Sequence, residues 1–342
     1  MMNMFKEIWI TYNRLWGLSK INGPNVDKKL LDQVMFSTET LPPLGKEYWW
    51  FLAFDTMGDK PKQLMLLIFR KYGKKMLFNG ETMEFCGNGK DQFRAVTSGW
   101  VYDGDRLLDL GDTNAIINVD INEIGGEVSG RKLLISGGYP NYKISVGDII
   151  KLDLTKSDTL QEKYAHGVFL PPLGMGWVDA FGVVEGEVFG KKFVGHSHLQ
   201  KVFGVTPFGP FHWGRIIFQN GSIVTFFCLK TGENSQVLFH KSLSFIDNDN
   251  NEIIIFDKVK LRISKIIGAK LYWVIEGKDS EKELSMMLES HAEKTYSMKG
   301  GGSQTYTEHA VTPAAFYLKT DSKLIFLDHL GKGWGTLEDA YW

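Results

Sequence analysis

The sequence predicts an all-β protein of two consecutive β domains, and three observations support this prediction. Strand-like apolar and aromatic runs recur from Glu47 onward at spacings of about 8–12 residues, with turn residues between them. The 342 residues include 37 glycines and 13% aromatic side chains, a composition typical of glycine turns joining aromatic strands. The long alternation of strand and helix that marks a doubly wound sheet is missing. A chain of this length corresponds to about two domains.

The first 45 residues are predicted to form a helix followed by an entry segment. Between residues 5 and 18, large apolar side chains recur at helical spacing. This helix either docks on the body of the protein or makes a peripheral contact with a membrane surface. Its weak positive charge argues against the membrane contact.

The remaining chain is predicted to form β domains over residues 46–207 and 208–342, as two barrels or half-open sandwiches. The clearest hairpin has apolar strands on either side of Asn220-Gly221, the preferred pair for a type I′ turn. A second hairpin is predicted to turn at Gly190-Lys191. The run SEKELSMMLESHAEK, residues 280–294, predicts one late helix in the second domain.

Composition and charge exclude several classes of protein. Lys and Arg number 39 against 40 Asp and Glu, so no cationic surplus favours nucleic-acid binding. No run of about 18 apolar residues predicts a transmembrane segment, and the N-terminus lacks the apolar core of a signal peptide. The two cysteines, Cys86 and Cys228, fit small buried side chains in a reducing compartment. We therefore expect a cytoplasmic protein.

The densest chemical neighbourhood lies between residues 195 and 213 and contains three of the eight histidines. His196 and His198 point to the same face if the segment is a strand, and His212 begins the next strand. Three imidazoles could bind a divalent metal ion. They could equally form hydrogen bonds inside a polar pocket or act in acid–base catalysis. The sequence leaves all three open.

Two carboxylates beside aromatic residues are further candidates for a general acid. Asp179 lies between Trp177 and Phe181, and Glu47 precedes a run of four aromatic residues. Burial among aromatic rings raises the pKa of a carboxyl group, which is how proteins make a general acid. The aromatic clusters either build the core or line a barrel lumen for an apolar ligand.

Four segments together resemble the AttH-like and carotenoid 1,2-hydratase (hydroxyneurosporene synthase) superfamily, whose members have two consecutive lipocalin-like β units. Residues 47–51, EYWWF, are similar to the family's opening strand E-W-W-Y, and residues 66–70, LLIFR, to its T-F-F-R strand. Residues 186–195, GEVFGKKFVG, resemble its glycine-lysine hairpin, and FHW at 211–213 resembles the W-x-W strand of the second unit. The resemblance extends over about residues 47–230 and implies a lipocalin-like fold with an apolar pocket.

The chain departs from the family where many members have a D-H-E-W-G or H-D-H-N-W-G segment. The family's aspartate falls on Gln200 and its histidine on Lys201, so a carboxylate that could protonate an alkene is replaced by an amide. An acid must then come from elsewhere. The candidate catalytic residues are His196, His198, His212, Asp179 and Glu47. The candidate ligand-binding residues are Trp49, Trp177, Gln200, Lys201, Phe203 and Trp213.

Two functions follow from this resemblance and from the candidate residues. One is an enzyme that protonates an apolar isoprenoid or polyene-like small molecule and leads to hydration, isomerisation or cyclisation. The alternative is a non-catalytic carrier of an apolar ligand, which the missing aspartate favours. A purely structural or partner-binding role is a third hypothesis. The sequence has no GxxxxGK[ST], HExxH, paired CxxC or GxSxG motif, and we therefore predict no cofactor. It predicts no oligomeric state.

Overall fold

In the computed structural model, the described residues are 27–38, 40–58, 60–85, 91–157, 166–170, 174–205, 209–230, 238–266, 270–279, 281–300 and 303–341. The helix predicted over residues 5–18 lies outside them. The described residues divide between two compact units, the first within Met1–Gly104, Leu108–Asp158 and Glu162–Pro207, the second mainly within Phe208–Trp342. No helix in the described part of the chain is long and apolar enough to cross a membrane.

The first unit contains one helix and thirteen strands among its described residues. These are α1 (Lys28–Phe36), β1 (Lys46–Asp55), β2 (Lys62–Lys71), β3 (Lys75–Phe78), β4 (Glu81–Glu84), β5 (Gln92–Tyr102), β6 (Leu107–Asp120), β7 (Glu123–Val128), β8 (Arg131–Gly138), β9 (Asn141–Val146), β10 (Ile150–Thr155), β11 (His166–Leu170), β12 (Met175–Val188) and β13 (Lys191–Gly204). Helix α1 begins at Asp27, whose side chain accepts a hydrogen bond from the Leu30 N–H, as expected for an aspartate N-cap.

Ten of these strands close into a barrel. Their order is β10-β9-β8-β7-β6-β5-β2-β1-β13-β12, and antiparallel pairing of β12 with β10 closes the ring. Side chains along each strand alternate between the interior and the surface of this barrel. In β10, for example, Ile150, Leu152 and Leu154 are buried, whereas Lys151 and Asp153 between them are exposed. The inward side chains form one continuous apolar core, which fills the interior and includes Leu31, Met35 and Phe36 of α1.

The second unit is a further antiparallel sheet. Its strands are β14 (Phe211–Phe218), β15 (Ile223–Lys230), β16 (Leu238–Asp247), β17 (Glu252–Phe256), β18 (Lys258–Ile266), β19 (Lys270–Lys278), β20 (Glu283–Lys299), β21 (Ser303–Lys319), β22 (Leu324–Phe326) and β23 (Gly333–Tyr341), with α2 at Leu327–Leu330. Nine strands follow the order β17-β16-β15-β14-β23-β21-β20-β19-β18, and β22 pairs with β21. Its inward side chains form a second apolar core. The predicted all-β fold with two β units is therefore confirmed.

The helix predicted over residues 280–294 is wrong, because residues 283–294 lie in strand β20. Leu284, Met286 and Leu288 are buried at every second position, and Ser285 and Met287 between them are half-buried. This two-residue period fits a strand that packs one face on a core. The pairing of β20 with β19 and β21 overrides the helical propensity of its Glu, Lys, Leu and Met residues.

Both predicted hairpins form, but one turn lies one residue earlier than predicted and the other is of a different type. The turn between β12 and β13 is at Phe189-Gly190, both with positive φ, and not at Gly190-Lys191. The turn between β14 and β15 has three residues, ending at Gly221 with φ of 83°, and not the predicted two-residue type I′ form. Asn220 accepts a hydrogen bond from the Ser222 N–H instead of adopting a positive φ.

Candidate functional site

Strands β1, β12 and β13 are neighbours in the barrel, and their alternation sorts the predicted site residues onto two faces. Glu47, Trp49, Lys201 and Phe203 share the inward face with the apolar core. The opposite face holds Trp177 and Asp179 from β12 with His196, His198 and Gln200 from β13. The sequence candidates of the first unit therefore separate into an interior set and an outer set.

The outer set contains a carboxylate with two nitrogen partners. Nε2 of His198 lies 2.8 Å from Oδ1 of Asp179. The side-chain amide of Gln200 donates a hydrogen bond of 2.8 Å to the same oxygen. Gln200 is the register partner of Asp179 across the hairpin, so the pairing of β12 with β13 brings these groups together. We call these three residues the Asp179–His198–Gln200 cluster.

Aromatic rings enclose the imidazole of this cluster. Trp50 of β1 meets His198 edge-on, with ring centroids 5.3 Å apart, and Phe181 of β12 lies 4.5 Å away. His198 is 1% exposed and Asp179 6% exposed. A buried carboxylate beside an imidazole holds the ring in one orientation and stabilises its protonated form. The cluster therefore brings an imidazole, a carboxylate and an amide together in an apolar environment.

Within the interior set, Glu47 and Lys201 form an ion network with Arg70 of β2. Oε2 of Glu47 accepts from Arg70, with Nη2 at 2.6 Å and Nε at 2.8 Å, and Oε1 lies 2.8 Å from Nζ of Lys201. The Arg70 guanidinium lies 4.1 Å from the centroid of the Phe93 ring, and Nζ of Lys201 lies 4.5 Å from the Trp49 ring. Such cation–π contacts add to the stability of buried cations.

This network also fixes helix α1. Nζ of Lys201 donates to the backbone oxygens of Val34, at 2.8 Å, and of Ser37. The indole N–H of Trp49 donates to the oxygen of Met35 at 2.7 Å. These are carbonyl groups at the helix C-terminus, where a cation and a donor are favourable. The Glu47 network therefore holds the C-terminus of helix α1 against the barrel.

His212 and Trp213 belong to β14 of the second unit and lie on opposite faces of it. His212 faces the core of that unit, where its Nδ1 lies 3.1 Å from Oδ1 of Asp339. Nζ of Lys230 donates to the same oxygen at 2.6 Å. Trp213 is the register partner of Glu338 on the other face.

The His212 neighbourhood continues through a tryptophan to another histidine. The Trp273 ring lies 5.5 Å from the His212 ring and 5.4 Å from the His309 ring. Burial lowers the pKa of His309 to about 4 and also lowers the pKa of His212, although Asp339 opposes both shifts. Burial alone would raise the pKa of Asp339, but His212 and Lys230 outweigh it and lower the net pKa. Burial thus favours the neutral form of both imidazoles.

A carboxyl pair that the sequence analysis missed lies on β21 and β23. Glu308 and Glu338 are register partners, and the Tyr306 hydroxyl donates a hydrogen bond of 2.6 Å to Glu308. Burial, followed by the negative charge of Glu308, raises the pKa of Glu338 well above its usual range. The sequence around Glu308 and Glu338 gives no signal for such a pair, because their proximity depends on the pairing of two strands distant in sequence.

Metal binding was one of the three roles that the sequence left open for His196, His198 and His212. Within the described ranges, no three His, Cys, Asp or Glu side chains group closely enough to hold a metal ion. His196, which shares a face with His198, is half-buried on β13.

Comparisons with solved structures found chains that are similar to this one. A crystal structure assigned as AttH from Nitrosomonas europaea has a TM-score of 0.50 at 11% identity, covering 86% of this chain and 92% of that chain. CghA, solved with Sch210972, has a TM-score of 0.49 at 10% identity and covers 87% of this chain and 88% of that one. Kievitone hydratase from Nectria haematococca has a TM-score of 0.41 at 13% identity, with coverage of 90% and 94%.

No family model matches the sequence, and no curated protein matches it. The likeness to the AttH structure, at 11% identity, concerns the fold alone. The chain has the AttH-like, lipocalin-like fold of two β units that its sequence motifs predicted.

Proposed function

We propose that this protein is an enzyme that protonates an apolar, isoprenoid or polyene-like small molecule, and that the Asp179–His198–Gln200 cluster supplies the proton. The observation that supports this proposal is the position of the Asp179 carboxylate, 2.8 Å from Nε2 of His198 in a buried, aromatic environment. The family aspartate is replaced by Gln200, but a carboxylate lies directly across the hairpin from it. An acid is thus available on the neighbouring strand.

The mechanism assigns a role to each member of the cluster. Asp179 holds the His198 ring at Nε2 and stabilises the imidazolium. Proton transfer to a double bond of the substrate then uses Nδ1, the other ring nitrogen. Gln200 donates to Asp179 and keeps its carboxylate in place. Aromatic faces such as that of Trp177, which shares this face of β12, stabilise the carbocation. Water then attacks the carbocation and returns a proton to Nδ1 of His198, or an internal alkene attacks it and the final cation loses a C–H proton to the same nitrogen.

Carriage of an apolar ligand in the lumen of the first barrel is the alternative. The observed packing does not favour it, because buried side chains such as Trp49, Phe51, Leu66 and Leu199 fill the interior. A lumen that holds its own side chains leaves little room for a ligand. The enzyme hypothesis uses the other face of β12 and β13 and does not require an empty lumen.

The test separates binding from turnover. Wild-type protein and the variants His198→Gln and His196→Gln are incubated with lycopene or squalene, and products are identified by mass spectrometry. We expect His198→Gln to bind the probe normally but to lose at least about 100-fold in turnover, because general acid catalysis contributes about that much. His196→Gln, on the same face, controls for loss of an imidazole. Binding without conversion by the wild type would instead identify a carrier.

A further inference from the structure

The outer face of β20 and β21 in the second unit contains a chain of polar side chains unrelated to the Asp179–His198–Gln200 cluster. Oγ1 of Thr312 lies 2.6 Å from Nε2 of His291. Nδ1 of the same ring lies 3.9 Å from Oε1 of Glu289, and the Tyr272 hydroxyl donates to Oε2 of Glu289 at 3.3 Å. A hydroxyl, an imidazole and a carboxylate therefore follow one another in that order.

The backbone places these groups through an irregularity in the strand pairing. Glu289 is the register partner of Thr312, and Ser290 pairs with Val311. The pairing then skips His291, so this residue is the extra one of a β-bulge. A bulge redirects its side chain and is frequent beside active sites. Here it points the imidazole across to the neighbouring strand, where Thr312 lies.

The arrangement is reachable from solvent. The His291 side chain is 20% exposed and that of Glu289 is 17% exposed. Each ring nitrogen has a different partner, with the hydroxyl on Nε2 and the carboxylate on the Nδ1 side. This order suits activation of a hydroxyl nucleophile, since the ring accepts the hydroxyl proton at Nε2 and the carboxylate charge, 3.9 Å from Nδ1, stabilises the imidazolium that forms.

We propose that Thr312, His291 and Glu289 form a second active site that accepts an acyl group from a small carboxylic ester. Oγ1 of Thr312 forms a bond to the carbonyl carbon while its proton moves to Nε2 of His291. The bond from that carbon to the leaving oxygen then breaks, and the alcohol leaves with the proton from His291. Water attacks the acyl-threonine in the same way, which releases the carboxylic acid and restores the hydroxyl.

The experiment uses p-nitrophenyl acetate with the full-length protein. The first measurement is the rapid release of p-nitrophenolate, and the second is the mass of the protein and of its peptides. We expect one acetyl group per chain on Thr312. Thr312→Val should abolish both signals, Thr312→Ser should retain them, and His291→Gln should slow the release about 100-fold. Glu289→Gln should slow it as well.

Matched controls keep the result specific. Thr305→Val alters another half-buried threonine of β21, and His329→Gln alters an exposed histidine of the same unit. Both should keep the wild-type release. Circular dichroism establishes that each variant is folded. If Thr312→Val does not fold, the release by Thr312→Ser and the peptide map of the acetylated wild type still show whether Thr312 is the nucleophile. The proposal would be overturned if the wild-type protein were not acetylated or were acetylated at another residue. It would also be overturned if Thr312→Val still released p-nitrophenolate at the wild-type rate.

Discussion

At the scale of single residues, Glu47 shows how a buried charge is stabilised. Its carboxylate is fully buried and contacts both Arg70 and Lys201. Replacing it with glutamine would leave two buried cations without their counter-charge. We expect Glu47→Gln to lower the free energy of unfolding by about 3–5 kcal/mol.

Urea denaturation measures this change. Glu185→Gln is the matched control, because Glu185 is exposed and lies 3.7 Å from Lys192. Such a surface pair contributes less than about 1 kcal/mol. Equal, small effects of the two substitutions would contradict the role of Glu47 as the centre of the network.

His309 predicts a dependence of stability on pH. Burial lowers its pKa to about 4, below that of an unfolded histidine. The unfolded state therefore binds the proton more readily, so stability is full above about pH 6.5 and is lost as the pH falls toward 4. The pKa of His212, which lies close to Asp339, is also lowered, and Lys230 lies close to the same carboxylate.

Urea denaturation of the wild type and of His309→Gln between pH 4.5 and 7 checks this prediction. The difference in unfolding free energy across this range should be smaller in the variant by an amount on the order of 2 kcal/mol. An identical pH dependence in both proteins would show that His309 does not contribute.

At the scale of elements, helix α1 depends on the barrel for its position. Lys201 and Trp49 donate to carbonyl groups at its C-terminus, and Leu31 and Met35 lie in the barrel core. Without Lys201 the helix end would lose a cation and two hydrogen bonds. We expect Lys201→Met to increase hydrogen exchange in residues 28–36 while the barrel strands remain protected. Lys29→Met, an exposed position on the same helix, should leave exchange unchanged, and unchanged exchange in Lys201→Met would contradict the anchoring.

The elements also show what the sequence could predict. Apolar alternation correctly indicated most strands, and the aromatic neighbours of Asp179 marked it as a candidate. The Asp179–His198 contact was not predictable, because it depends on the register of the hairpin. A turn at Gly190-Lys191 would pair Asp179 with Val202, whereas the turn at Phe189-Gly190 pairs it with Gln200. A shift of one residue in the turn moves the partner by two positions.

At the scale of the whole molecule, the sequence motifs predicted two β units of lipocalin-like type, and the fold agrees. Glu308 and Glu338 could not be paired from the sequence, since their strands meet only after the second sheet is assembled. The same holds for His212 and Asp339, which are partners on β14 and β23. Contacts between distant strands are set by sheet topology, which local periodicity does not encode.

The central claim is that the Asp179–His198–Gln200 cluster delivers a proton to carbon. A single-turnover reaction with lycopene or squalene in D₂O tests it, with wild type and Asp179→Asn compared. We predict that the wild-type product contains one non-exchangeable deuterium, and that Asp179→Asn slows its formation at least about 100-fold with the probe still bound. A product without deuterium, or an unchanged rate in the variant, would contradict the claim.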